Sequence, residues 1–231
     1  MKKPLISILI RAYNGPQLGA AIDSALCQSY KNKEILVYDD ASTEWILSSV
    51  KGIKLFKGKK NIGDDKAANF LLSKCKGEYF IFLDHDDTFF NRDSVEVLYQ
   101  SIGDADCVIG DLLVTERSTF ADPNKIAFGK WEYSRINIDK NTFRIQIIEN
   151  GGCGIIPFVK GLHRKKFWDD NKIKFELPIV GDTLASIRMI EAGGNIYYIP
   201  LFICSFKATQ TGLSFSKDRE KQIKNMLKIL K

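Results

Sequence analysis

Short apolar runs recur along the first half of the chain, separated by segments whose apolar residues repeat at helical spacing. Leu5–Ile10 (LISILI) is rich in β-branched residues and fits a strand buried on both faces. Asn14-Gly15-Pro16 reads as a loop, and Pro16 suits the first turn of a helix. Leu18, Ile22, Ala25 and Leu26 then share one helical face. Glu34–Tyr38 (EILVY), Ile53–Phe56 and Tyr79–Leu83 repeat the strand pattern, and Cys107–Ile109 begins another. Helices are expected over Thr43–Val50, after a cap at Asp64 or Asp65 (Ala67, Phe70 and Leu71 on one face), and around Asp93–Gln100. Strands alternating with helices predict an α/β fold, a mostly parallel sheet flanked by helices on both faces.

The second half is less regular. Residues 112–140 carry mixed strand and loop signals, Asp139–Glu149 reads as a helix, and Gly151–Gly154 as a flexible loop. Lys165–Asp170 suits a helical turn, and Gly181–Ala192 a helix ended by Gly193-Gly194. Ile196–Ile199 reads as a strand stopped by Pro200. Lys217–Lys231 is a basic helix with Ile223, Met226, Leu227 and Leu230 on one side. It suits packing on the domain or, alternatively, contact with an anionic membrane surface. With no repeat or linker, the expected organisation is one domain over 1–216 and a helical extension over 217–231.

Composition narrows the class. The 231 residues are 45% hydrophobic and 27% charged, enough for a real core. The net charge of +6 suits an anionic small substrate or acidic membrane surface and predicts no nucleic-acid partner. Cys27, Cys75, Cys107, Cys153 and Cys204 are far apart with no CxxC pair, as free thiols in a reducing compartment would be. Lys2 and Lys3 precede an apolar run of only about six residues, too short for a signal peptide or membrane helix. A cytoplasmic location is expected.

Carboxylates cluster beyond two of the expected strands, at Asp39-Asp40 and at Asp84-His85-Asp86-Asp87. In open α/β sheets, ligands bind beyond the carboxyl ends of the strands. Asp39 and Asp40 can accept hydrogen bonds from a ribose hydroxyl or base N–H, or can form an Asx turn. Asp84, Asp86 and Asp87 repel one another unless something positive sits among them. They suit a turn or cap, or a hard cation such as Mg²⁺ or Mn²⁺ that completes its shell with substrate phosphates. His85 reads as a loop residue beside that site. Asp182, at a helix start, is an N-cap or a base facing a cleft. His163, Arg164, Lys165 and Lys166 in GLHRKKF form a solvated basic turn or a diphosphate contact. The chain has no GxGxxG after its first strand and no P-loop pattern, which weighs against dinucleotide and P-loop readings, and it has no GxSxG.

Taken in order, ISILIRAYN, SALCQSYKNKEILVYDDAST and NIGDDKAANFLLSKCKGEYFIFLDHDD resemble blocks of the inverting family-2 glycosyltransferases with the GT-A fold. The resemblance runs to about Ser216. It implies a nucleotide-sugar-binding half over 1–110 and an acceptor-binding half over 111–216. It implies donor-site roles for Ala12, Tyr13, Asn14, Asp39, Asp40, Lys66, Asn69, Asp84, His85 and Asp86. Asp84 and Asp86 match the metal-binding DXD pair, for Mn²⁺ or Mg²⁺, and Asp182 matches the catalytic base. The implied reaction moves a sugar from a nucleoside-diphosphate sugar, with UDP favoured, to a glycan or lipid-linked glycan acceptor, as in bacterial surface-glycan synthesis. Departures are Arg11 where the family commonly has Pro, Ala68 where it often has Arg, and Gly181 where it usually has Glu. Lys207–Ser214 (KATQTGLS) is similar to its C-terminal motif. A degenerate module that binds a nucleotide sugar or glycan without turnover is the competing reading. A sugar nucleotidyltransferase would want a Gly-rich phosphate loop, which NGPQLG matches poorly.

Overall fold

Alternation along the strands sorts the core into two layers. The computed structural model describes residues 3–44, 48–114, 160–177, 180–206 and 218–229. Their strands are β1 Ile6–Ala12, β2 Lys33–Asp39, β3 Lys54–Lys57, β4 Tyr79–Asp84, β5 Thr88–Phe89, β6 Cys107–Val114, β7 Leu162–Arg164 and β8 Ile196–Phe206. Their helices are α1 Leu18–Leu26, α2 Asp64–Lys74, α3 Ser94–Ile102, α4 Lys165–Asp170, α5 Gly181–Glu191 and α6 Arg219–Ile229. All eight strands join one sheet in the order β3-β2-β1-β4-β7-β6-β8-β5.

The half built from β3, β2, β1 and β4 is parallel throughout. The other half is mixed: β7 runs antiparallel to both β4 and β6, β8 parallel to β6, and the two-residue β5 antiparallel to β8. Ile6, Ile8 and Ile10 of β1, with Ile81 and Leu83 of β4, face α1 and α3. Leu9, Phe80 and Phe82 face α2 and α5 on the opposite side. Each fully buried side chain of this size contributes roughly 1.5–3 kcal/mol. Helices thus cover both faces, as the sequence predicts.

Several boundaries depart from the sequence expectations. No helix forms at Thr43, Glu44 or residues 48–50, and residues 45–47 lie outside the described part. Pro200 does not end its strand. The β6–β8 register jumps from Gly110↔Ile199 to Asp111↔Phe202, so Pro200 and Leu201 fall in a bulge. A bulge spares proline the ladder hydrogen bond it cannot donate. Gly110 suits this bend, because a Cβ there would stand 2.3 Å from the Ile203 side chain. The edge strand β3 (KLFK) exposes a lysine at each end.

The C-terminal helix α6 uses its apolar side internally: Met226 is buried and Ile223 packs on the layer containing α2 and α5. No helix among the described residues is long and apolar enough to cross a membrane. Cys75, Cys107 and Cys204 are buried free thiols and Cys27 an exposed one. The expectations for Asp139–Glu149, Gly151–Gly154, Cys153 and Lys207–Ser214 fall outside the described residues.

Candidate active site

Parallel pairing of β1 with β4 sets Arg11 beside Asp84, one step past Ile10↔Leu83. Both side chains project to the face that carries Phe82. There the Arg11 guanidinium is nearly sealed from solvent, with its side chain 6% exposed. Nη2 donates to Asp84 Oδ1 at 2.6 Å and Nη1 to Asp64 Oδ2 at 2.7 Å. Nη1 also stands 3.7 Å from Asp182 Oδ1. The guanidinium lies over the rings of Phe82 and Phe175, 5.2 and 5.9 Å from their centroids. Only a planar fork can bond two carboxylates while stacking on aromatic faces. One residue of β1 therefore gathers acids from α2, β4 and α5.

A second cation sits on the other side of Asp84. Lys160, just before β7, is buried and pairs with Asp84 Oδ2 and Asp87 Oδ2. Both oxygens of Asp84 are thus engaged by fixed cations. Burial opposes ionisation of Asp84, but the charges of Lys160 and then Arg11 outweigh it and hold the carboxyl well below the usual carboxylate range. Burial also pulls against the charged forms of Lys160 and Arg11, yet the surrounding aspartates keep both firmly protonated.

The remaining acids move the other way. Burial raises Asp64 to about 6 despite the opposing pull of Arg11. Burial likewise raises Asp87 against Lys160, and Asp182 against Arg11. Asp182 keeps 43% of its side chain accessible, so a proton-donating ligand can reach it even though protein atoms crowd its carboxyl. Asp86 is half-buried and makes no hydrogen bond or ion pair with a described residue.

The turns beyond β1 and β2 form the adjoining wall. Asn14 adopts φ 47°. Its Oδ1 accepts from the N–H groups of Thr43 and Glu44, and its own N–H donates to Ser42 Oγ. Asp39 Oδ1 accepts from the Ser42 N–H at 2.9 Å, an Asx-type turn that leaves its second oxygen over. Asp40 spends both oxygens on the N–H groups of Ile62 and Gly63, fixing the start of α2. Ala12 is buried, with its carbonyl accepting from the Asp40 N–H, and Tyr13 is exposed at the rim. The His85 ring presses on Gly15, where a Cβ would fall 2.1 Å from Cδ2, so the turn after β4 abuts the turn after β1.

Other sequence candidates lie differently. Asn69 is committed to the chain: its amide donates to the Phe175 carbonyl at 2.7 Å and accepts from the Phe175 N–H at 3.0 Å. It acts through Phe175, which stacks on Arg11. Lys66 is exposed on α2. The GLHRKKF cations turn away from the acids. Arg164 bonds Tyr79 Oη and the carbonyls of Gly103 and Ala105, while Lys165 and Lys166 pair with Asp169 and Asp170. His163 is a core residue stacked on Phe80, and its Nδ1 accepts from Trp168. His163 is claimed by buried neighbours because the short β7 is an interior strand, whereas Lys165 and Lys166 pair with exposed acids one helical turn on.

A divalent cation fits this donor set through Asp86, an unpaired hard-oxygen ligand. Both oxygens of Asp84, the other expected metal ligand, are engaged by Arg11 and Lys160. Among the described residues no three His, Cys, Asp or Glu side chains converge on a metal position. Such a cation would need phosphate oxygens from a ligand to complete its shell.

Comparison with known proteins agrees with this architecture. The model of "Glycosyl transferase family 2" matches residues 7–170, from β1 through α4. The chain belongs to glycosyl transferase family 2. Among curated glycosyltransferases of the family's kind, RT0329 of Rickettsia typhi, named an uncharacterized glycosyltransferase, is 33% identical over 184 residues, covering 74% of this chain and 55% of that protein. The Escherichia coli protein WfaP, a UDP-Glc:alpha-D-GlcNAc-diphosphoundecaprenol beta-1,3-glucosyltransferase, is 43% identical over 89 residues, 36% of each chain. Among solved structures, Staphylococcus aureus TarS 1-349 in complex with UDP-GlcNAc superposes with a TM-score of 0.74 at 17% identity, covering 97% of this chain and 65% of that one. That likeness shows a shared fold. The chain spans about half or less of the length of the first curated relatives it matches.

Proposed function

We propose that this family-2 domain transfers a sugar, with inversion, from a nucleoside-diphosphate sugar to the hydroxyl of a glycan or lipid-linked glycan. The observation that carries the reading is the meeting of Asp182 with Asp84 on Arg11, at the carboxyl ends of the parallel strands and next to Asp86. This is where an open α/β sheet holds its ligand. Residues 1–110 supply the donor wall and the later segments the acceptor side. The named donor of WfaP and the ligand of TarS favour a UDP-sugar, and WfaP's acceptor name favours a lipid-linked glycan of surface-polymer synthesis.

The oxygen of Asp39 not taken by Ser42 receives a base N–H or ribose hydroxyl. Asn14 and Asp40 hold the two turns that frame it. Asp86 would hold Mn²⁺ or Mg²⁺ against the donor. When bound, the cation offsets the charge that builds on the leaving diphosphate. Asp182 takes the proton of the acceptor hydroxyl, which attacks the sugar carbon as it gains oxocarbenium character, from the face opposite the leaving group. Its raised pKa strengthens it as a base relative to an ordinary aspartate.

Thermal shifts with UDP, dTDP, GDP and CDP, each with and without Mn²⁺, test the donor assignment, since a ligand of the native state raises Tm by mass action. A metal-dependent shift with UDP supports it. No shift with any nucleotide sinks it. A shift without transfer to any acceptor would instead assign the chain to the non-catalytic binding reading.

A further inference from the structure

The sequence marks Asp64 only as a candidate helix cap, but in the structure it meets the guanidinium nitrogen that Asp182 faces. Asp64 opens α2, and its Oδ2 accepts from Arg11 Nη1 at 2.7 Å. Asp182 Oδ1 stands 3.7 Å from the same Nη1, too far for a hydrogen bond. One nitrogen thus has a near carboxylate and a distant one. We propose that Asp64 is a positioning residue: by occupying Arg11 Nη1 it keeps Asp182 from closing into a tight ion pair and leaves that carboxylate open to the acceptor's proton. This rests on the reading of Asp182 as the base.

Arg11 is fixed on its other sides. Nη2 is bonded to Asp84 Oδ1, and the fork lies over the rings of Phe82 and Phe175. Phe175 is itself held by Asn69 through both of its backbone groups. Asp182 is the partner with room to move, because it sits in the first turn of α5 with 43% of its side chain exposed. A carboxylate bonded to a buried cation is favoured in its charged form and gives up that contact to accept a proton. Asp84, bonded by Arg11 and Lys160, shows that state and is held well below the usual carboxylate range. Asp182, one step back from the same fork, is raised by burial instead. The charged groups acting on Asp182 are Arg11 of β1, Asp84 of β4, Lys160 before β7 and Asp64 of α2. Asp64 is the partly exposed one of these, so a neutral side chain can replace it with little disturbance to the core.

Carbon-13 NMR of the chain labelled at the aspartate Cγ, with the Asp182 signal assigned from Asp182→Asn, follows this carboxyl without turnover. Asp64→Asn should move the Asp182 titration to lower pH, because Arg11 then faces one fewer competing charge. Asp64→Ser, whose side chain is too short to reach Nη1, should move it in the same direction and serves if the first variant fails to fold. Asp64→Glu keeps the charge and should leave the Asp182 titration close to wild type. With UDP-Glc as donor and water as acceptor, Asp64→Asn should release UDP roughly tenfold more slowly at unchanged KM, and Asp64→Glu should restore most of the rate. An Asp182 titration that stays in place or moves to higher pH in the neutral variants overturns the role of Asp64, whatever the rates of release. The expected move to lower pH, beside an Asp182→Asn variant that releases UDP as fast as wild type, overturns instead the reading of Asp182 as the base.

Discussion

Replacing Arg11 with Met keeps the length and apolar stem of the side chain and removes only the fork. The change weakens the hold on three acids at once: Asp64 and Asp182 lose the cation they pair with among the described residues, and Asp84 keeps only Lys160. Removing one partner of a buried ion pair typically costs about 3–5 kcal/mol. The lower end applies here, because the Asp64 and Asp182 side chains are 35% and 43% exposed and water can solvate them. Lost stacking on Phe82 and Phe175 adds roughly 0.5–1 kcal/mol or more. Against a total stability of about 5–15 kcal/mol, that is a large fraction. At about 2–4 °C per kcal/mol for a chain of this size, Tm should fall by roughly 6–15 °C in near-UV circular dichroism. Adding Asp64→Asn should recover part of the loss, since one stranded charge disappears. A single variant melting within about 1 °C of wild type would refute the view that the fork holds the acids together.

Asp182→Asn should leave nucleotide affinity intact and lower the transfer rate roughly 10²–10⁴-fold, measured by release of nucleoside diphosphate with acceptor present; an unchanged rate removes Asp182 as the base. Gly15→Ala drives a methyl into the His85 ring and should cost about 1–3 kcal/mol in chemical denaturation. His85→Ala in that background should restore most of it, and no restoration would mean that the two turns do not abut. Asp64 titrates at about 6 in the folded chain, above its ordinary value. Its contribution is present below the unfolded pKa and lost as pH rises through about 6, so wild-type stability should fall between pH ~4 and ~6 relative to Asp64→Asn. The reverse slope in urea midpoints over that window would contradict the assignment. Asp84 has the opposite sign: its contribution holds above the ordinary carboxylate range and is lost on acidification below it.

The parallel half of the fold was legible because its strands carry continuous apolar runs and its helices a clear stripe. β1, β2 and β4 fall within one or two residues of expectation. The mixed half was not. β5 and β7 have two and three residues, too few for any period to register, and their pairing is fixed by partners far along the chain. Proline at 200 is a sound stop signal that a bulge overrode. In the site, strand-end acids were visible because charge after an apolar run is conspicuous. What the acids touch was not. Arg11 reads as the polar end of an apolar run, and only the β1–β4 register sets it against Asp84. Lys160 follows the apolar residues Ile155–Val159 (IIPFV), and that isolation was the one available sign that it must be buried with a partner. The GLHRKKF cluster misled in the opposite direction: its density suggested a phosphate site, while each cation had a neighbour along α4 or in the loop before β6.

The edge strand β3 carries a consequence for the behaviour of the chain in crowded solution. A sheet that stops at an open edge presents unpaired backbone groups to any passing strand, including that of another copy. In KLFK the exposed lysines stand first and last. Antiparallel docking of two such edges in register sets Lys54 against Lys57, and parallel docking sets each lysine against itself. Either way like charges face each other across the new ladder, which disfavours pairing. The same four residues that complete the parallel half of the sheet among the described residues also disfavour its growth into a polymer.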